Sequence, residues 1–258
     1  MKKKKGILSQ GLRFLFKFLT NFVVSNEMTE MKTIAIIVAG GSGTRFGAEV
    51  PKQFLVLGGE PILMRTIEAF EEALRGVDHE IVVTLPVDQF ALWNELCERY
   101  DFKLPHRVVA GGETRWHSVK NALESIDDSA CTDVIAVHDG VRPLASIDLI
   151  ERVLDAARRD GAAIPVVMLN DSVRQVVGET SHALDRSSLR AVQTPQAFDA
   201  RVLLDAYSQP FEPTFTDDAS VVERNGHKVT LVEGDPKNLK ITRPMDLTLA
   251  EYLLNQDA

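Results

Sequence analysis

Apolar residues in this chain fall into short unbroken runs separated by segments with helical spacing. The first run, Ile34 to Val38, suits a strand buried on both faces of a parallel sheet. Ile62, Leu63, Ile67, Phe70 and Leu74 then recur at helical spacing, with Pro61 at the first helical position and Gly76 as the stop. Ile81 to Val83 read as a second strand ended by Pro86. Phe90, Trp93, Leu96 and Tyr100 mark a second helix, and Val108 and Val109 a short third strand. A helix from about Thr114 turns Val119, Leu123 and Ile126 inward. Val134 to Val137 form a fourth strand, and Ser146 caps a helix carrying Ile150, Val153, Leu154 and Ala157 that closes at Gly161. Ala162 to Val167 are a fifth strand. The alternation predicts an α/β fold built on a doubly wound, mostly parallel, Rossmann-like sheet.

Beyond residue 170 the pattern changes. Val173, Gln175 and Val177 alternate, Gly178 and Glu179 make a turn, and Ala183 to Arg186 return, which predicts a β-hairpin arm over about 170–190. A two-stranded arm is marginal alone and needs a partner surface, either a second subunit or its own domain. Thr194 to Phe198 lead into a helix through Leu203, Leu204 and Tyr207. Thr216-Asp217-Asp218 caps another helix that ends at Gly226. Val229 to Val232 form a strand, and a last helix follows Pro244.

The chain has 258 residues, enough for one large α/β domain with a core that needs no disulfide or metal staple. Its formal net charge of −8 argues against general nucleic-acid binding. Cys97 and Cys131 share no metal-ligand spacing and read as reduced core thiols of a cytoplasmic protein. Residues 1–30 join Lys2 to Lys5 with an apolar segment that Arg13 and Lys17 interrupt. The segment is too interrupted to span a membrane and lacks a clear signal-cleavage site, so no stable membrane insertion is expected. It reads as an extension outside the fold, with Met28 or Met31 as a candidate start and the folded domain over 31–258.

In a doubly wound sheet, ligands bind beyond the carboxyl ends of the strands. Three polar sequences fall there: the loop after the first strand, Gly111 to Arg115, and His138 to Pro143. The first loop carries Gly40, Gly41, Gly43 and Gly47, then the cations Arg45 and Lys52. Bare backbone N–H groups and two spaced cations suit a polyphosphate. No Gly-Lys-Ser/Thr follows, which excludes a Walker A loop, and Phe46 spoils a dinucleotide fingerprint.

The glycine loop with Arg45 and Pro51-Lys52-Gln53 is followed in order by several further motifs. These are Gly111-Gly112 with Arg115 and Ser118, His138-Asp139 with Arg142-Pro143, Asp185-Arg186, Thr194-Pro195-Gln196, Thr216-Asp217 and Asn238 to Pro244. This series resembles the 2-C-methyl-D-erythritol 4-phosphate cytidylyltransferase family of non-mevalonate isoprenoid synthesis, over about Lys32 to Leu254. Ala39-Gly40-Gly41 departs from the Ala-Ala-Gly usual there. The resemblance implies transfer of CMP from CTP to a polyol phosphate with release of pyrophosphate. It also implies Mg²⁺ held mainly by the CTP phosphates, with no dedicated protein metal site, and a homodimer through the arm.

By the same resemblance, Arg45, Lys52 and Lys240 act on the phosphates. Ala39, Gly40, Gly41, Gly43, Gly112, Glu113, Ser118 and Asp139 hold CTP, and Arg142, Arg186 and Thr216 hold the acceptor. Arg186 would then serve the neighbouring subunit's site; the alternative is a pair with Asp185 or Glu179 within the arm. His138 is read as structural, because a phosphate nucleophile needs no base. Two other readings remain at this level: a ribitol 5-phosphate cytidylyltransferase, and a non-catalytic nucleotide-binding protein on the same fold.

Overall fold

The structure, a computed structural model, describes residues 32–40, 50–127 and 132–256. The N-terminal extension, Gly41, Gly43, Arg45 and Cys131 lie outside the described residues.

The first run forms β1 (Lys32–Val38), and the parallel strands beside it are β4 (His79–Leu85), β5 (Arg107–Ala110) and β6 (Thr132–Asp139). A small hairpin of β2 (Val56–Leu57) and β3 (Glu60–Pro61), which the apolar pattern does not reveal, precedes α1 (Ile62–Ala73). Pro61 is therefore the cap of α1 rather than its first residue. The next helices are α2 (Phe90–Arg99), α3 (Arg115–Glu124) and α4 (Ile147–Asp160). Ser146 caps α4 by accepting from the Leu149 amide, and Gly161 ends it in the left-handed region with φ of 87°.

Strand β7 (Ala162–Met168) does not lie next to β6. Between them runs β11 (Gln196–Asp199), antiparallel to both. The reading of Thr194 to Phe198 as a simple approach to a helix is corrected here. The strand has only Ala197 and Phe198 as apolar interior residues, too few to show a period, and tertiary pairing rather than local pattern makes it a strand. β10 (Arg190–Val192) precedes β11 along the same side of β7, and β12 (Thr230–Glu233) pairs in parallel with β7. Among the described residues these make an eight-stranded, mixed but mostly parallel sheet. Helices α5 (Ala200–Ala206), α6 (Asp218–Arg224) and α7 (Pro244–Leu254) complete the order. The expected hairpin is β8 (Val173–Val177) with β9 (Thr180–Leu184), a separate and largely exposed two-stranded sheet.

Strand alternation divides the core. Ala35, Ile37, Val134 and Ala136 pack with apolar residues of α1, α2 and α4 on one face. Ile34, Ile36, Ile135 and Val137 pack with α3, α5 and α6 on the other. Each fully buried large side chain contributes about 1.5–3 kcal/mol. Cys97 sits half-buried against the first face, where burial pushes its thiol up to about 11 and leaves it an unreactive packing residue at neutral pH. No helix among the described residues is long and apolar enough to cross a membrane.

The register brings Thr84, Val38 and Asp139 side by side at the carboxyl ends of β4, β1 and β6. Beyond that edge lie two adjoining cavities.

Candidate active site

The first cavity, about 400 Å³, lies between the end of β1 and the start of α3. Its backbone is fixed by short links: Ala39 N–H to Thr84 O at 3.0 Å, Gly140 N–H to Val38 O at 2.9 Å and Gly111 N–H to Leu85 O at 2.7 Å. Thr114 caps α3 by accepting from the His117 amide. One turn on, the Ser118 hydroxyl donates to Thr114 O at 3.1 Å and accepts from Gly112 N–H at 3.0 Å. Ser118 thus holds the glycine loop in shape before any ligand arrives.

Glycine is needed at 112, where an added Cβ would stand 2.3 Å from His117 Cβ and 2.9 Å from its carbonyl carbon. At Gly40 an added Cβ would meet, among the described residues, only Ser118 Oγ, at an ordinary 3.6 Å. Gly112→Ala is expected to cost about 1–3 kcal/mol and to weaken anion binding in this cavity, while Gly40→Ala is expected to stay within about 0.5 kcal/mol of the parent. Urea unfolding and nucleotide titration of the two variants check this contrast, and equal effects would contradict it.

The second cavity, about 280 Å³, is bounded by Arg142, Thr194, Gln196, Thr216 and Asp217. Gln196 ties β11 to the start of α6, donating to Asp217 Oδ2 and accepting from Ala219 N–H, both at 2.9 Å. Arg115, Asp139 and Lys240 line both cavities and form their common wall.

Asp139 is the centre of that wall. Its Oδ2 receives Arg142 Nε at 3.0 Å and Lys240 Nζ at 3.1 Å, and Arg115 Nε approaches Oδ1 at 3.6 Å. Burial alone would raise this carboxyl, but Arg115, Lys240 and Arg142 together hold it well below the usual carboxylate range. Arg142 also donates to Asn238 O at 2.7 Å, and Asn238 donates to Thr194 O at 2.8 Å. Arg115 donates to the fully buried Asp218 at 2.7 Å, and Tyr207 donates to the other oxygen of Asp218 at the same distance. Burial would favour loss of the Arg115 proton, but Asp218 and Asp139 outweigh it and keep the guanidinium charged.

His138 lies fully buried under the wall, beside Phe70. The Asp139 amide donates to Thr194 Oγ1 at 3.0 Å, so the threonine proton points to His138 Nδ1 at 3.1 Å. His138 Nε2–H then donates to Arg142 O at 3.2 Å. A neutral ring satisfies this chain, and burial, only partly opposed by Asp139, pushes the imidazole down to about 4. An unfolded histidine titrates near 6.5. The unfolded state therefore takes up the proton first: this contribution is full above pH 6.5 and is lost as pH falls from 6.5 to 4. A loss of about 2–3 kcal/mol over that interval is expected. Urea unfolding at a series of pH values checks it, with His138→Gln expected to flatten the slope.

The structure brings Ala39, Gly40, Lys52, Gly112, Glu113, Ser118, Asp139 and Lys240 around the first cavity, and Arg142 and Thr216 around the second. Arg186 lines neither; it is exposed, follows β9, and donates to Asn170 O rather than to Asp185 or Glu179. Sequence reasoning assigns Arg115 no role and reads Asp218 only as part of a helix start. Their meeting across 103 residues has no local signature. Gln53, Thr194 and Asn238, buried polar residues within the ordered motifs, carry similar positioning bonds.

The family profile for 2-C-methyl-D-erythritol 4-phosphate cytidylyltransferase matches residues 33–256. The chain belongs to that family. It is 47% identical over 226 residues to the Porphyromonas gingivalis 2-C-methyl-D-erythritol 4-phosphate cytidylyltransferase, covering 87% of this chain and 99% of that one. The Clostridium perfringens protein of the same name is 42% identical over 228 residues, covering 86% and 99%. Among solved structures, the Thermus thermophilus cytidylyltransferase superposes with a TM-score of 0.69 at 34% identity, over 87% of this chain and 99% of that one. The Anaerococcus prevotii 4-diphosphocytidyl-2C-methyl-D-erythritol synthase gives 0.73 at 28% identity, over 88% and 99%. This cytidylyltransferase thus matches its relatives along almost their whole length, and residues before Thr33 lie outside the profile match.

Proposed function

We infer that the enzyme transfers CMP from CTP to 2-C-methyl-D-erythritol 4-phosphate, giving 4-diphosphocytidyl-2-C-methyl-D-erythritol and pyrophosphate, in isoprenoid precursor synthesis. The observation that carries the reading is the pair of cavities with a common wall of Arg115, Asp139 and Lys240. CTP occupies the larger, with its base toward Ala39, Gly40, Gly112 and Ser118 and its phosphates toward Lys52 and Lys240. The glycine loop, with Gly41, Gly43 and Arg45, completes that end. The acceptor phosphate occupies the smaller, against Arg142 and Thr216.

One acceptor phosphate oxygen attacks the α-phosphorus, the bond from α-phosphorus to the β-bridging oxygen breaks, and pyrophosphate leaves with that electron pair. A phosphate monoester is largely dianionic at neutral pH, so no general base is required and buried His138 serves only to hold the wall. Rate comes from bringing anions together in line and from cations aimed at the charge that develops. Bound Mg²⁺ would take oxygen ligands, most of them from the triphosphate, with the Asp139 carboxylate as the residue that would hold it from the wall, and would supply charge neutralisation for the leaving pyrophosphate. Among the described residues no three His, Cys, Asp or Glu side chains gather as metal ligands.

The exposed β8–β9 hairpin presents Val176 and Val177 at 71% and 57% exposure, next to an Arg186 that reaches neither cavity of its own chain. In this reading the hairpin is the dimer arm, Arg186 serves the partner's acceptor cavity, and the enzyme works in the cytoplasm where CTP is at hand. The test is pyrophosphate release from CTP with methylerythritol phosphate and with ribitol phosphate in parallel. Faster turnover with ribitol phosphate would replace the acceptor, and no release with either would defeat the enzymatic reading.

A further inference from the structure

Arg115 occupies a position that a purely structural buried pair would not need. Its partner Asp218 is completely buried, yet the Arg115 side chain keeps 26% exposure and lines both cavities. Among the described residues the charged side chains common to the two cavities are Arg115, Asp139 and Lys240, so Arg115 and Lys240 are cations where nucleotide and acceptor meet. Its aim is set by several independent contacts. Asp218 accepts from Arg115 Nη2 at 2.7 Å and is itself held by Tyr207 Oη at 2.7 Å. Trp116, the next residue of α3, stacks on Tyr207 with ring centroids 5.4 Å apart. The Nε side faces Asp139 at 3.6 Å. A guanidinium carries five donors in a rigid fork; Asp218 takes one Nη2 donor, and Asp139 pairs with Nε only electrostatically at 3.6 Å, so other donors of the fork remain for a phosphate.

We propose that Arg115 is a further catalytic residue of this enzyme, donating from its guanidinium to the phosphoryl group in transfer at the junction of the two cavities, with Asp218 as its positioning residue. The proposal rests on the cytidylyltransferase reading above. Because Asp218 opens α6 directly after Thr216 and Asp217, the pair also ties the rim of the acceptor cavity to the nucleotide cavity.

The experiment is steady-state pyrophosphate release by the full-length enzyme with CTP, Mg²⁺ and methylerythritol phosphate, accompanied by thermal unfolding. Arg115→Ala is expected to lower kcat about 100-fold, with a smaller change in KM for CTP. Added guanidinium ion should restore part of that turnover in Arg115→Ala but not in Lys52→Ala. Arg115→Lys keeps the charge but not the fork, and is expected to lose about 10-fold. A folded Arg115→Ala enzyme with kcat within about threefold of the parent overturns the proposal, as does a loss that guanidinium does not relieve. If Arg115→Ala does not fold, Arg115→Lys decides: undiminished kcat overturns the assignment, and reduced kcat with unchanged unfolding supports it. Release of pyrophosphate by the parent enzyme separates the two levels. Its absence defeats the activity itself, whereas its presence beside an unimpaired Arg115→Ala defeats only the role of Arg115.

Discussion

Asp139→Asn is expected to abolish measurable turnover and to destabilise the fold by about 3–5 kcal/mol, the usual cost of removing one partner from a buried ion pair. The carboxylate is only 8% exposed and faces Arg115, Arg142 and Lys240. An amide of the same shape leaves three cations around a neutral group, and with its oxygen on Arg142 and Lys240 its NH2 faces Arg115 Nε, donor against donor. Both cavities lose their common wall together, so KM for each substrate should rise along with the fall in kcat. The acid side provides a second check. The folded carboxyl titrates below its unfolded value near 3.9. Its stabilisation is full above pH 4 and is lost as pH falls through the folded value. The parent should therefore lose this contribution below pH 4, and Asp139→Asn should not. Urea unfolding with an unchanged denaturant slope, measured at neutral and acid pH, tests the stability claim. A variant as stable as the parent would contradict it.

Lys52→Ala is expected to lower kcat by about 10²–10³ with little change in unfolding. The backbone beneath Lys52 is held by its neighbours. Gln53 is fully buried and donates to Ala39 O at 2.8 Å and to Gln89 Oε1 at 2.6 Å. Phe54 stacks on Trp93 with centroids 5.9 Å apart. The turn Lys52–Phe54 should therefore survive the substitution, and the missing ammonium should register in the chemistry. Unfolding, or an intact turnover number, would count against the role.

The same variant tests the arm. Arg186→Ala should also be inactive if Arg186 serves a neighbouring site. Mixing it with Lys52→Ala should restore part of the activity, because a mixed dimer contains one site with both residues. No recovery despite subunit exchange, followed by a mass label, would place Arg186 in the service of its own chain.

The parallel strands and the helices between them were legible in the sequence because their signal is local. A strand buried on both faces reads as a run such as Ile34 to Val38, and a helix facing a sheet shows its stripe within two turns, as Ile150 to Ala157 do. Capping is equally local, so Ser146 and Gly161 could be placed from chemistry alone. The ordered motifs located most of the cavity walls, since ligand-facing residues in this architecture follow strand ends. β11 could not be read, because four residues with two apolar positions become a strand only when β6 and β7 flank them.

The sequence by itself determined the parallel strands and the helices between them, the family and the set of polar segments that converge. Only the tertiary structure decided that one carboxylate, Asp139, gathers cations contributed by α3, by the turn after β6 and by the segment before α7. It alone revealed that Asp218 aims Arg115 from 103 residues away and that Asn238 braces Arg142 across 96. Ion pairs and buried hydrogen bonds depend on distances of about 3 Å and on exclusion of water. Periodicity fixes which face a side chain occupies, but not which residue, a hundred positions away, will meet it there.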